Sequence, residues 1–363
     1  MNAALGTVVR HPATWVAGLL LLGLLALAGQ YGFHRDELYF IIAGRHPALG
    51  YPDQPPLTPL LTAGSAALLG TSPLAIRILP ALAITACTLL AARMTHDLGG
   101  GRRAQVIAAI SLGASGYLAA GHLASTATYD LLAWSVILAL TIRLLVGADP
   151  RLWLVVGLVA GIGLENKFIP LFLGAGLIGG FVLARRWDVV RSPWAWTGLA
   201  IALVIWAPNL WWQAANGFPQ LEMAAQIGGA DNRSKFLLEL TLLAGPVLFV
   251  VAIAGGWWLL HDRAARPWRA IGVAVLLVLL LLFASGGKSY YAAGLFGLLM
   301  AAGAIRVDRW LPAGRVTLRL SLFSGAAVVS GAIVVVLVLP VLPAATLAAS
   351  PITELYKESA EQI

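Results

Sequence analysis

The chain has 363 residues, 60% hydrophobic and only 11% charged, and its mean hydropathy of +0.85 excludes a soluble globular domain. Twenty-four basic against sixteen acidic residues give a net charge of +8, a balance that in a soluble protein would raise nucleic-acid binding. The single cysteine, Cys87, lies in an apolar run, which excludes a disulfide framework or a cysteine-based metal site and reads as small packing.

A bilayer core needs about 20 predominantly apolar residues per helix. Such windows lie near 14–30, 73–93, 104–122, 128–147, 152–165, 168–184, 194–212, 236–260, 270–285, 289–305 and 319–340. The chain therefore reads as an all-α, polytopic membrane protein of about eleven transmembrane helices. No small-x-small cleavage site follows the first window, so it is a span and not a cleaved signal. The boundaries drawn are a membrane-embedded domain over 1–340, containing an external loop over 31–72, and a short external tail over 341–363.

Orientation follows from the short loops. With the N-terminus cytoplasmic, Arg10, Arg93, Arg102, Arg103, Arg143, Arg151, Arg185, Arg186, Arg191, Arg263, Arg266, Arg269, Arg306, Arg309, Arg315 and Arg319 share the inner side. Most acidic residues fall outside. The basic balance is thus a topology signal, the expected surroundings are a lipid bilayer, and nucleic acid is not an expected partner. Cytoplasmic Gly99-Gly100-Gly101 lacks the Lys-Ser/Thr of a phosphate loop and reads as a turn.

The external loop after the first span is too polar and proline-rich to cross the membrane. Asp36 is placed to cap a short helix with Leu38, Ile41 and Ile42 on one face, stopped by Gly44 and Pro47. Pro55-Pro56 opens a second, with Leu57, Leu60, Leu61, Gly64 and Leu68 on one face. Two short interfacial helices are the expectation. Arg77, Asp130 and Glu239 sit just inside external span ends, where charges face a wet cavity or a partner; a salt bridge of Arg77 to an external carboxylate is the plainer reading. Trp257 and Trp258 are expected as aromatic-belt residues. His34, His46 and His122 are external but show no helical metal spacing, so no metal set is assigned.

Phe33-His34-Arg35-Asp36-Glu37-Leu38-Tyr39, followed by Gly50-Tyr51-Pro52-Asp53-Gln54-Pro55-Pro56-Leu57, resembles the first external loop of the GT-C glycosyltransferases of family 39 type. That group includes protein O-mannosyltransferases and the transferases that add aminoarabinose to lipid A. Gly163 to Lys167, Pro208-Asn209 with Trp212-Gln213, and Gly287-Lys288-Ser289-Tyr290-Tyr291 are similar as well. The resemblance implies an inverting membrane transferase that moves a sugar from a polyprenyl phosphate to a hydroxyl or amine of a cell-envelope glycan, lipid or protein, on the external face. Relatives usually carry more chain after the last span, whereas this sequence ends soon after Pro340; a short member and a truncated chain both remain open, and acceptor recognition is the role this touches.

Such a transfer needs a base at the acceptor and positive charge at the departing phosphate, but no protonating acid, because a phosphate leaves as an anion. The resemblance gives Asp36 the role of base and Glu37 a supporting one, against helix capping by Asp36. Lys288, Lys167, Arg35 and Arg77 are the phosphate candidates, with Tyr290 and Tyr291 as hydrogen-bond donors; a snorkelling anchor is the alternative for Lys288. Asp53, Asp130 and His34 are candidates for sugar or acceptor binding. No cofactor is assigned, and a divalent cation at Asp53 or Asp130 stays open. The alternative function, a secondary transporter or lipid flippase, predicts charges near the midplane in both halves and paired broken helices, and neither pattern is visible.

Overall fold

The computed structural model describes residues 11–229, 233–311 and 316–343, with 345, 346 and 349. Arg10, Arg315 and most of the 341–363 tail lie outside the described residues. The helices are α1 (Pro12–Leu27), α2 (Arg35–Arg45), α3 (Leu57–Leu69), α4 (Pro73–Asp97), α5 (Arg102–Gly113), α6 (Tyr117–His122), α7 (Thr126–Leu144), α8 (Leu152–Leu164), α9 (Pro170–Leu183), α10 (Trp187–Val190), α11 (Pro193–Ala215), α12 (Pro219–Gly229), α13 (Phe236–Ala244), α14 (Phe249–His261), α15 (Arg269–Ala284), α16 (Phe296–Trp310) and α17 (Val316–Val338). Short 3₁₀ turns at Arg266–Trp268 and Ser289–Leu295 precede α15 and α16. Among the described residues there is no strand.

Every expected window is largely helical, yet among the described residues six helices alone are long and apolar enough to cross a membrane, or seven with α13 and α14 taken together. Hydropathy does not register breaks. The 104–122 window splits between α5 and α6, and the 236–260 window bends by 102° between α13 and α14 at Gly245, whose φ of +88° favours glycine. α1, α3, α8 and α9 are shorter apolar helices.

The spans pack chiefly as pairs: α8 with α11, α14 with α16, α9 with α15, and α4 with α7. Small residues let backbones approach where the surrounding lipid offers no hydrophobic drive to association. A Cβ at Gly157 would lie 2.0 Å from the Gly198 carbonyl oxygen, and one at Gly303 would lie 1.9 Å from that of Val251. Trp134 is fully buried at the centre, and Cys87 is buried beside it in the same core. Trp258 departs from the belt expectation: it is fully buried and stacks on Trp268, while Trp257 is exposed.

Both helices of the 31–72 loop form, but with roles redistributed. α2 is capped by His34, not Asp36: the His34 ring accepts from the Asp36 backbone N–H at 3.3 Å, and the Glu37 carboxylate accepts from the His34 N–H at 2.9 Å. Gly44 does not stop α2. It lies inside the helix and lets α2 touch α3, where a Cβ would meet the Pro59 carbonyl oxygen at 2.6 Å. On α3 the polar Thr58, Thr62 and Ser65 are buried, whereas Leu60 and Leu68 are exposed. In a membrane protein the apolar stripe faces lipid, and the hydroxyls turn inward, where Ser65 donates to the Ala75 carbonyl at 2.6 Å.

Candidate active site

α4 carries Arg77 in its second turn and Arg93 near its far end, on the order of 25 Å apart along the axis, so it defines two ends of the bundle. At the far end arginines meet aspartates on the surface: Arg93 with Asp97, Arg103 with Asp308, Arg186 with Asp188 and Arg309 with Asp262. The sequence-derived candidates gather at the Arg77 end.

Arg77 and Glu37 form the buried floor. The guanidinium grips both carboxylate oxygens, Nε to Oε1 at 2.9 Å and Nη2 to Oε2 at 2.8 Å, with the side chains 2% and 0% exposed. Its other donors reach the carbonyls of Ala28, Gln30 and Gly32, and Glu37 also accepts from the Ala124 N–H at 3.1 Å. This pair ties α1, α2, α4 and the α6–α7 turn together. Arg77 is thereby removed from the phosphate-binding set, since its donors are spent on protein acceptors. The hydrogen bonds of Glu37 hold the start of α2 against α4 and the α6–α7 turn.

Asp36, in the first turn of α2, is partly exposed and pairs with Arg35 at 3.5 Å. The turn between α15 and α16 brings Lys288 and Tyr290 within the electrostatic reach of Asp36, with Tyr291 packed edge-on against Tyr290. That turn curls tightly because Gly294 lies flat on Trp134, where a Cβ would meet the ring at 2.5 Å. Lys288 is half-buried; burial and the neighbouring cations Lys167 and Arg35 lower its pKa, while Asp36 and Glu239 oppose the shift. Lys167 lies over the rings of Tyr291 and Tyr290, 4.4 and 4.8 Å from their centroids. Asp130 is 5% exposed, within the field of Lys167, and its Oδ1 has no hydrogen-bond partner. Asp36, Arg35, Lys167, Lys288, Asp130, Tyr290 and Tyr291 thus form one constellation.

The remaining candidates sit at its edges. Asp53 is exposed and accepts from the Tyr39 hydroxyl at 2.6 Å, which burial and this bond raise above the usual phenol range. His34 spends its Nδ1 on the cap of α2. Among the described residues no three His, Cys, Asp or Glu side chains converge.

Several participants were not singled out as site residues by sequence. Glu239 accepts from the Ser289 hydroxyl at 2.6 Å, which explains why the α13–α14 span bends: the short α13 lies against the Ser289–Leu295 turn. Asn166 accepts from Thr58 at 2.5 Å and donates to the Thr126 carbonyl at 2.7 Å, fixing the loop that carries Lys167. Glu165, on the other flank of Asn166, has a carboxyl raised to about 7 by burial, opposed by a hydrogen bond from the Asn209 backbone. The dense polar triplet Glu165-Asn166-Lys167 between two apolar helices was the available signal.

The helical bundle, with a short helix pair after its first helix and a charged cluster at one end, has a fold similar to that of the GT-C membrane glycosyltransferases. Residues 53–212 match the family described as dolichyl-phosphate-mannose-protein mannosyltransferase. Among solved structures, the fold is shared with ArnT from Cupriavidus metallidurans bound to undecaprenyl phosphate, at 18% identity and a TM-score of 0.67 over 88% of this chain and 64% of that one. It is shared also with the archaeal oligosaccharyltransferase AglB from Archaeoglobus fulgidus, in complex with an inhibitory peptide and a dolichol-phosphate. There the identity is 13% and the TM-score 0.61, over 89% of this chain and 55% of that one. The chain spans less than two thirds of either structure's length. No curated protein matches it.

Proposed function

We propose that this protein is an inverting membrane glycosyltransferase that moves a sugar from a polyprenyl phosphate to a hydroxyl or amine of a cell-envelope acceptor, on the external face. The observation that carries the reading is the gathering of Lys288, Lys167 and Arg35 around Asp36 and the two tyrosines. Burial first, and then the like charges of Lys167 and Arg35, lower the pKa of Lys288; a phosphate anion relieves the repulsion among them. The match of residues 53–212 to a polyprenyl-phosphate-sugar-using family, and the undecaprenyl phosphate bound by ArnT, support the same donor class.

In this mechanism the acceptor oxygen or nitrogen attacks the anomeric carbon from the side opposite the phosphate. Asp36 takes its proton, the carbon–oxygen bond to phosphate breaks, and the polyprenyl phosphate leaves with the electron pair. Lys288 and Lys167 stabilise the charge that grows on the departing oxygen, assisted by the Tyr290 hydroxyl, which lies 3.5 Å from the Lys167 ammonium. Glu37 and Arg77 hold the first turn of α2, and hence Asp36, at a fixed height.

The test is transfer of labelled sugar from undecaprenyl-phosphate sugars to envelope extract by the purified protein in liposomes. Turnover lost in Asp36→Asn while the protein stays folded supports the reading, and no transfer by wild type with any polyprenyl-phosphate sugar overturns it. The face is tested separately: Asp53 is exposed and Cys87 is buried, so Asp53→Cys should be labelled by an impermeant thiol reagent in intact cells.

A further inference from the structure

Across Asn166 from the phosphate-facing Lys167 lies a second polar group of different character. Gln54 and Gln213 are 6% and 5% exposed, and the amide nitrogen of each is buried without a hydrogen-bond partner, as is Oε1 of Glu165. Buried polar atoms are rarely left so, because each forfeits its hydration.

The three belong to one frame. The Glu165 carboxylate takes a hydrogen bond from the Asn209 backbone, and the Glu165 carbonyl accepts from the Leu57 N–H at 2.9 Å, three residues beyond Gln54. Gln213 lies one turn after Asn209 on the buried face of α11. The loop bearing Gln54 is tied to the same turn: the Asn209 amide donates to the Leu49 carbonyl at 3.0 Å and Gln220 to that of Tyr51 at 3.0 Å. Gln213 Oε1 is itself engaged by the Gln220 N–H at 3.2 Å. The frame is satisfied while two amide donors and one carboxyl acceptor are left over.

We propose that Gln54, Glu165 and Gln213 form the subsite for the glycosyl group of the donor, gripping its ring hydroxyls. Each hydroxyl both accepts and donates, so a set of two N–H donors and one carboxyl oxygen suits adjacent hydroxyls of a sugar and suits neither a hydrocarbon chain nor an anion. Glu165 and Lys167 flank Asn166, which is locked by Thr58 and the Thr126 carbonyl, so one turn of chain carries both the candidate phosphate contact and the candidate sugar contact. The subsite rests on the transferase reading above.

The test compares binding of bare undecaprenyl phosphate with that of its glucosyl, mannosyl and aminoarabinosyl forms, in detergent, for wild type and for Gln54→Leu, Gln213→Leu and Glu165→Leu. Wild type is expected to bind at least one glycosylated lipid about 10-fold tighter or more than the bare lipid, in line with hydrogen bonds to buried partners. The variants are expected to lose that increment and keep bare-lipid affinity within about twofold. Gln54→Leu removes a donor without a protein partner and is expected to leave the melting temperature unchanged or higher. A lowered melting temperature with the sugar increment intact makes the group structural and overturns the subsite. So does a wild type that binds bare and glycosylated lipids alike. A wild type that binds no polyprenyl phosphate overturns the transferase reading, and the subsite with it.

Discussion

The two ends of the bundle use the same kinds of residue to opposite effect. At the arginine-rich end the ion pairs lie on the surface, with Arg93, Arg103 and Arg309 each about half exposed. Solvent screens them, and exposed pairs of this kind contribute about 0–1 kcal/mol each. At the other end Arg77 and Glu37 are 2% and 0% exposed, and every visible valence is used. Above them Lys288, half-buried, lies in the field of Lys167, Arg35, Asp36 and Glu239, and Arg35 pairs with Asp36 at 3.5 Å. The first end reads as topology and solubility. The second has a buried, fully hydrogen-bonded ion pair beneath a half-buried group of mixed charges.

The comparison is sharpest at Arg77. Arg77→Met strands Glu37 in the interior and is expected to cost about 3–5 kcal/mol, seen as loss of the monodisperse peak in detergent or a collapse of the melting temperature. An Arg77→Met protein as stable as wild type would mean that the buried pair does not anchor α2. The next largest effect is expected at Asp36. Because His34 is the cap, Asp36→Asn leaves the helix start intact and isolates the proton-accepting role, so transfer should fall by about 10²-fold or more with the melting temperature unchanged.

Lys288 separates a phosphate contact from an anchor. Lys288→Met is expected to lower turnover about 10-fold or more at saturating donor, the scale of a charge-assisted hydrogen bond, while Lys288→Arg retains part of the activity. Equal rates for Met and wild type at limiting and saturating donor would leave the phosphate to Lys167 and Arg35. A smaller effect is expected at Glu165. Its carboxyl is raised from 4.5 to about 7 in the folded protein, so above about pH 4.5 the unfolded chain ionises while the folded one stays neutral. The folded state then loses stability until pH about 7, where the loss levels off. Glu165→Gln does not titrate, so its melting temperature should gain on wild type between pH 5 and pH 8; a constant difference across that range would show that the carboxyl is not held neutral. Smallest of all, Arg103→Ala at the far end should change stability by no more than about 1 kcal/mol and leave transfer untouched.

The sequence by itself determined the all-helical membrane class, because apolar runs in a chain of mean hydropathy +0.85 admit helices and little else. It also determined which charges share the Asp36 end, since residues in short loops on one side of a bilayer have nowhere else to go. What it could not determine was the use of each charge. Arg77 and Lys288 look alike as cations near span ends, and only tertiary packing made one a saturated structural partner of Glu37 and left the other beside Asp36. Likewise the stripes of α2 and α3 were legible, but their direction was not: periodicity reports that two faces differ, whereas Thr58 facing Asn166 and Leu68 facing outward depend on whether lipid or protein lies on each side. The bend at Gly245 and the frame around Glu165 are decided in the same way, by hydrogen bonds between residues far apart in the chain, whereas the His34 cap is local, a capping box carried by the spacing of His34 and Glu37.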